Sequence, residues 1–293
     1  MPLKIVPVVT PPILQDAALQ QELDREGVVT FPFLSAEALA ELRAFYHRLH
    51  PTVPQGPIKG FYVSVHSANL YYKLEIQNEV NRIIHPFCEQ NFKHHLRANT
   101  AMLVKSASPE SELVFHQDWN ATDETQFRAY TFWVPLIDTT IENGTLFVAK
   151  RTHRIGPTYR SASLPSIYSQ IGSTIAKYLV PYEVKAGNAV LFDKSVLHQS
   201  PPNFGTEVRP TVVSTIIHQD ARYLTYAFNP NDKTTIEAYE VAHDYLQYYT
   251  SFFEDSIHLP ANAIKTNITA PADFADVTAE EFEQLHQALF INA

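Results

Sequence analysis

Two histidines, an aspartate and an arginine in this chain have the types and spacing to hold a redox metal beside a bound dicarboxylate. His116-Gln117-Asp118 supplies an imidazole and a carboxylate one residue apart, and His198 follows 80 residues after the aspartate. On an extended segment, residues i and i+2 point to the same face, so His116 and Asp118 can reach one ion. Two imidazoles and one carboxylate on one face of an octahedral ion leave three positions open, the arrangement with which a non-haem Fe(II) centre holds a bidentate co-substrate and O2. Arg209, 11 residues beyond His198, adds a permanent planar cation suited to gripping a carboxylate through two parallel hydrogen bonds.

Local patterns carry the distant members toward one place. Gly187 to Asp193 reads as a turn and then a buried strand, which puts His198 near a sheet rim. Pro201-Pro202-Asn203-Phe204-Gly205 is rich in turn formers, so a hairpin return brings Arg209 back toward the same cavity. The competing reading of Arg209 is a surface side chain paired with Glu207. A second His-Gln-Asp, at 218–220, has His243, His258 and His286 downstream. None follows a comparable Gly-turn-strand segment or precedes a suitably placed arginine, so His218 reads as a strand-end residue. His66, His85, His94 and His95 default to structural or exposed roles, and His153 to a binding or a solvated loop position.

The elements that must position these residues divide the chain in three. Residues 14–26 have helical apolar spacing ending at Gly27, residues 28–33 read as a short strand, and Ser35 caps a helix whose Leu39, Leu42, Phe45, Tyr46 and Leu49 share a face. Residues 51–75, broken by Pro51, Pro54, Gly56, Pro57 and Gly60, read as a loop and a candidate lid carrying Lys59, Tyr62, Tyr71 and Lys73. Short β-rich runs at 101–104, 130–136, 145–149, 189–192 and 211–217 argue for a barrel or two-sheet sandwich rather than a parallel α/β sheet. Residues 234–256 and 279–290 return to helical character. The expected organisation is one domain over 1–293: a helical part with the lid to about 96, a β core over about 97–220, and C-terminal helices over about 234–293.

Composition narrows the partners. With 45% hydrophobic residues the chain can bury a sizeable core. A formal charge of −9, without a run of basic residues, argues against nucleic acid. The single cysteine, Cys88, cannot form an intrachain disulfide, and no stretch of 18 apolar residues or secretion-type leader is present, so a reducing cytoplasmic setting is expected. The Asn-x-Ser/Thr triplets at Asn120, Asn143 and Asn267 carry little weight in that setting.

The residues His116-Gln117-Asp118, the run Glu142-Asn143-Gly144-Thr145-Leu146-Phe147-Val148 leading to Thr152-His153-Arg154, and His198-x-Ser200 with Arg209 together resemble the phytanoyl-CoA dioxygenase family of Fe(II)/2-oxoglutarate oxygenases. The likeness covers about residues 23–217. It implies a fold that is mainly β with flanking helices, built on a double-stranded β-helix (a cupin-like jelly roll), with Fe(II), 2-oxoglutarate and O2 as cofactor and co-substrates. It implies metal ligands at His116, Asp118 and His198, and co-substrate contacts from Arg209, Ser200, Thr131 and, less directly, Trp133. An aspartate at 118 implies hydroxylation or another oxidative outcome rather than halogenation, since halogenating relatives carry a small residue there. One departure stands out: the usual Pro-Gly-Ser-His ending is replaced by Ala149-Lys150-Arg151-Thr152-His153, which unsettles any substrate carried over from a relative. Candidate substrate contacts are Asn99, Trp119, Asn120, Tyr62 and Lys59. The expected partner is a small molecule: an amino acid, a natural-product intermediate and an acyl thioester are the alternatives, with a small polar molecule slightly favoured. A zinc hydrolase and a non-catalytic metal-binding jelly roll remain as alternatives, both leaving Arg209 without a purpose.

Overall fold

The computed structural model describes residues 3–8, 10–248 and 259–291. After a short strand β1 (Lys4–Ile5), helix α1 (Ala17–Glu26) is capped by Asp16, which accepts the amide hydrogens of Ala18 and Leu19. It ends at Gly27, whose φ of +77° a side-chain-bearing residue rarely adopts. Strand β2 (Val28–Pro32) leads to α2 (Ala36–Leu49), capped by Ser35, with Leu42, Phe45 and Tyr46 buried along one stripe.

Residues 51–75 are more ordered than a loop reading expects. Strand β3 (Phe61–Val63) and a 3-10 turn at Ser64–His66 lie within them, and α3 (Leu70–Asn91) begins there. Helix α3 buries Lys73, Ile76, Val80, Ile83, Ile84 and Cys88, a three-and-four spacing diluted in the sequence by polar residues between its members. Tyr71 and Lys73 therefore belong to a helical first turn instead of a lid. Tyr71 faces solvent, and the Lys73 ammonium is buried against the Val65 carbonyl at 3.4 Å.

The strands that follow are β4 (His95–Lys105), β5 (Leu113–His116), β6 (Ala129–Pro135), β7 (Leu146–Ala149) and β8 (Ile155–Gly156). After a short helix α4 (Gly172–Ala176) come β9 (Leu179–Tyr182), β10 (Asn188–Asp193), β11 (Leu197–Ser200) and β12 (Arg209–His218). They form an antiparallel six-stranded sheet, β2-β10-β6-β12-β4-β3, and a four-stranded sheet, β5-β11-β7-β9, the two layers of a jelly roll.

The pleat sorts side chains between the two faces of the larger sheet. Met102 and Val104 of β4, Phe132 and Val134 of β6, and Val212 and Ile216 of β12 join the core formed with α2 and α3. The alternate residues Ala101, Leu103, Thr131, Trp133, Val213 and Thr215 face an interior cavity. A one-residue slip of any strand would exchange these sets. Burying a side chain such as Phe132 contributes about 1.5–3 kcal/mol, which pins the register that aims the cavity residues.

The C-terminal region corrects a second expectation. Residues 235–240, read as helical, form β14 (Thr235–Glu240) between β13 (Leu224–Phe228) and β15 (Ile264–Pro271). Thr235, Ile236 and Tyr239 favour extended backbone, and Ile236 and Ala238 on alternate positions bury against Leu224 and Tyr226. A 3-10 turn covers Tyr245–Tyr248, and residues 249–258 lie outside the described residues. Helix α5 (Ala279–Ile291) forms where one is expected. Among the described residues, no helix is long and apolar enough to cross a membrane.

Candidate metal centre and anchor cavity

Strands β5 and β11 are neighbours in the smaller sheet, and their register sets His116 opposite His198 with ring centroids 4.2 Å apart. Asp118 lies two residues past the end of that pairing. Its Oδ1 is 3.8 Å from His116 Nε2 and 3.9 Å from His198 Nε2. Among the described residues, these three form the one group of histidine, cysteine and acidic side chains close enough to share a metal ion.

Hydrogen bonding leaves the ligand atoms available. The Nδ1 of His116 meets the Val114 carbonyl at 2.8 Å, and that of His198 meets the Val196 carbonyl at 3.0 Å. A carbonyl only accepts, so each Nδ1 is the donor, which leaves Nε2 as the ring atom free to bind a metal. Burial, reinforced by the adjacent His116 ring, lowers the His198 pKa to about 4 and keeps it neutral at pH 7. On Asp118, Oδ2 accepts from the Thr131 hydroxyl and lies 3.6 Å from Lys194 Nζ, which also donates to Thr131 Oγ1 at 3.2 Å. Burial acts to raise the Asp118 pKa, but Lys194, both imidazoles and the Thr131 hydroxyl outweigh it and hold the carboxyl well below the usual range. With Oδ2 occupied, Oδ1 is the oxygen turned toward both rings. Thr131→Val, nearly isosteric, is expected to weaken Fe(II) binding about tenfold or more by freeing that carboxylate, as an anaerobic metal titration would read.

Arg209 lines the same cavity as the three candidate ligands. It is 2% exposed, which removes the surface reading, and among the described residues no carboxylate pairs with it. Nη1 donates to Thr211 Oγ1 at 3.1 Å and Nη2 to Ser200 Oγ at 3.2 Å, the guanidinium lies 5.2 Å from the Trp133 ring centroid, and Nε has no partner. Burial pushes its pKa down to about 9, still protonated at pH 7. Ser200 in turn donates to the Gly144 carbonyl at 2.8 Å, which fixes the oxygen that orients Arg209. Gly144 is itself constrained: its φ is +71°, and a Cβ there would stand 2.4 Å from the Pro201 carbonyl oxygen. Gly144→Ala is expected to lower stability by about 1–3 kcal/mol and move the Ser200 contact, as urea unfolding would show.

The cavity measures about 370 Å³ and contains all three candidate ligands together with Thr131, Trp133, Ser200 and Arg209. A wider cleft of about 590 Å³ lies beyond Phe115, Gln117 and Trp119 but includes neither Asp118 nor His198, so the smaller space is the candidate reaction chamber. Asn99, Trp119 and Asn120 line the chamber as expected from the sequence. Asn99 sits at a bulge with φ of +49° and ties Tyr223 and the Leu246 amide to the wall. Lys59 and Tyr62 do not line it. Lys59 is on the surface, paired with Glu110, and Tyr62 points into the helix-facing core because Phe61 and Val63 take the inward positions of β3. His153 also lies elsewhere, its Nε2 against the Asp24 carbonyl at 3.0 Å beneath α1. His218 stacks on Phe127, 5.3 Å away, with Asp220 exposed.

Three contributors escaped the sequence reading. Lys194, four residues before His198, gave a weak signal as a lysine in an apolar strand-turn segment. Arg160 gave none. Its Nε donates to the Asp118 carbonyl at 2.8 Å, its backbone pairs with Asn120, and its guanidinium is held by Glu124. The third is the lid face of Phe61, Val63 and Val65.

A buried guanidinium without a carboxylate partner among the described residues, lining the same cavity as two imidazoles and a carboxylate, suits a metal-chelating dicarboxylate. The fold that carries both is an antiparallel jelly roll. The chain belongs to the phytanoyl-CoA dioxygenase (PhyH) family, whose model matches residues 23–211. It is 31% identical over 111 residues to the phytanoyl-CoA dioxygenase domain-containing protein 1 homolog of Dictyostelium discoideum, a match spanning 34% of this chain and 39% of that protein. Among solved structures, EctD from S. alaskensis with 2-oxoglutarate and 5-hydroxyectoine is similar at TM-score 0.53 and 18% identity, over 78% of this chain and 88% of that one. AviO1 from Streptomyces viridochromogenes Tue57 is similar at TM-score 0.50 and 19% identity, over 71% and 97%.

Proposed function

We propose that the protein hydroxylates an unactivated C–H bond of a small molecule, consuming 2-oxoglutarate and O2 and releasing succinate and CO2. The observation that carries this reading is Arg209, charged, buried and without a carboxylate partner among the described residues, lining the same cavity as His116, Asp118 and His198. A hydrolytic zinc site has no use for such an anchor. His116, Asp118 and His198 hold Fe(II), which when bound activates O2 at the expense of 2-oxoglutarate. Arg209, steadied by Ser200, Thr211 and the Trp133 ring, fixes the far carboxylate of the co-substrate. Thr131 and Lys194 keep Asp118 presenting a single oxygen toward the two rings. Trp119 and the lid face exclude water from the reacting group.

Anaerobic addition of Fe(II) and 2-oxoglutarate is expected to give the weak visible charge-transfer band of the chelate. A metabolite screen for substrate-stimulated succinate release then names the substrate. Tight zinc retention with no band would remove the reading.

A further inference from the structure

Resting on the dioxygenase reading, we propose that the group oxidised in the chamber is uncharged and apolar, an aliphatic or aromatic hydrocarbon portion held between the lid face of β3 and the corner made by Tyr223, Tyr245 and Leu246.

The charged groups of the chamber all have other tasks. His116, Asp118 and His198 face one another, Lys194 is engaged by Asp118 and Thr131, and Arg209 is held by Ser200 and Thr211. Of the other titratable side chains in the wall, His66, Tyr223 and Tyr245, the one that can carry a positive charge is His66. Burial, with Lys73 nearby, pushes its pKa down to about 4, so it is neutral at pH 7. No further charged side chain lines the chamber among the described residues.

Polar groups near the mouth are likewise committed. The Asn99 amide donates to the Tyr223 hydroxyl, and its oxygen accepts from the Leu246 amide at 3.2 Å. Asn120 Oδ1 accepts the Arg160 amide hydrogen at 2.6 Å, and Gln117 donates to the Ser195 carbonyl. Ser214 Oγ is within 2.9 Å of the Thr100 hydroxyl. Most of what is left to touch a guest is apolar: Phe61 and Val63 from β3, Val65 from the 3-10 turn after it, Ala101 and Leu103 from β4, and Val213 from β12, with Gln199 and Thr215 the polar exceptions. The strand residues among them are inward members of the pleat, which sets the largely apolar character of this wall. A carboxylate or ammonium entering this wall would lose its hydration with little to replace it, whereas a hydrocarbon gains by leaving water.

The test uses ring compounds in matched sets, on benzene, cyclohexane and indole, each as the neutral ring, the ring acetate and the zwitterionic ring amino acid. Binding is followed by ligand line broadening in NMR, on metal-free protein and on protein loaded anaerobically with Fe(II) and 2-oxoglutarate. Neutral members are expected to bind at least tenfold more tightly than their charged counterparts in both forms. Val63→Asn, which places an amide in the lid face, should weaken the neutral members several-fold without changing the charge-transfer band. Charged members binding as tightly as neutral ones, or no neutral member binding at millimolar concentration, would overturn the proposal. The band reports the dioxygenase reading and the ranking on metal-free protein reports this one, so either can fail alone.

Discussion

Asp118→Ala should abolish 2-oxoglutarate-dependent succinate release, with Fe(II) affinity falling by more than about 100-fold, because loss of a group that merely orients a ligand already costs about 10–100-fold. Asp118 is the one anion of the triad, and the two rings that remain supply no negative charge to balance a dication. The fold should survive the change. Both rings are held by their own strands through the Val114 and Val196 carbonyls, and Arg160 grips the Asp118 backbone rather than its side chain. Asp118→Asn separates charge from shape: the amide can still occupy the place beside Thr131, so a matching loss in this variant assigns the effect to charge. Anaerobic Fe(II) titration with circular dichroism as the folding control makes the measurement. Retained metal affinity in the alanine variant would mean that the ion is held elsewhere.

Arg209→Met should raise the concentration of 2-oxoglutarate needed for half-maximal formation of the charge-transfer band by roughly 30-fold to several-thousand-fold, corresponding to about 2–5 kcal/mol for truncating one partner of a buried charge pair. Fe(II) binding should be little changed, since the guanidinium contacts Ser200, Thr211 and Trp133 and none of the three metal-facing side chains. The ligand-free variant should unfold at the same temperature as the wild type or higher. Wild-type Arg209 is desolvated without a counter-charge and leaves Nε unmet, a cost that an apolar side chain of similar length removes. Saturating 2-oxoglutarate should reverse that order by stabilising only the wild type. A variant that binds the co-substrate normally would place the anchor on another residue.

The contrast between Lys59 and Phe61 shows where legibility stopped. Both lie in a segment marked by proline and glycine, and a cation close to an aromatic run reads as ligand-binding. The structure turns Lys59 out to Glu110 and brings Phe61 in, because β3 pairs with β4 in a register fixed by side chains far away in sequence. Residues 234–240 failed for a related reason. Their short pattern was compatible with either period, and only the partners β13 and β15 decided for strand.

The sequence by itself determined the chemistry: His-x-Asp on an extended segment, a distal histidine after a turn-and-strand pattern, and an arginine beyond a proline-rich turn have side-chain properties that do not depend on context. It also marked most of the strands of the central region, though not β3 or β14. Tertiary structure decided what those groups face. That His116 stands opposite His198, that Thr131 and Lys194 take one oxygen of Asp118, and that Arg209 is left buried without a counter-ion are consequences of strand register and sheet packing. Such pairings join residues tens of positions apart through the summed burial of the whole core, so no local stretch of sequence encodes them.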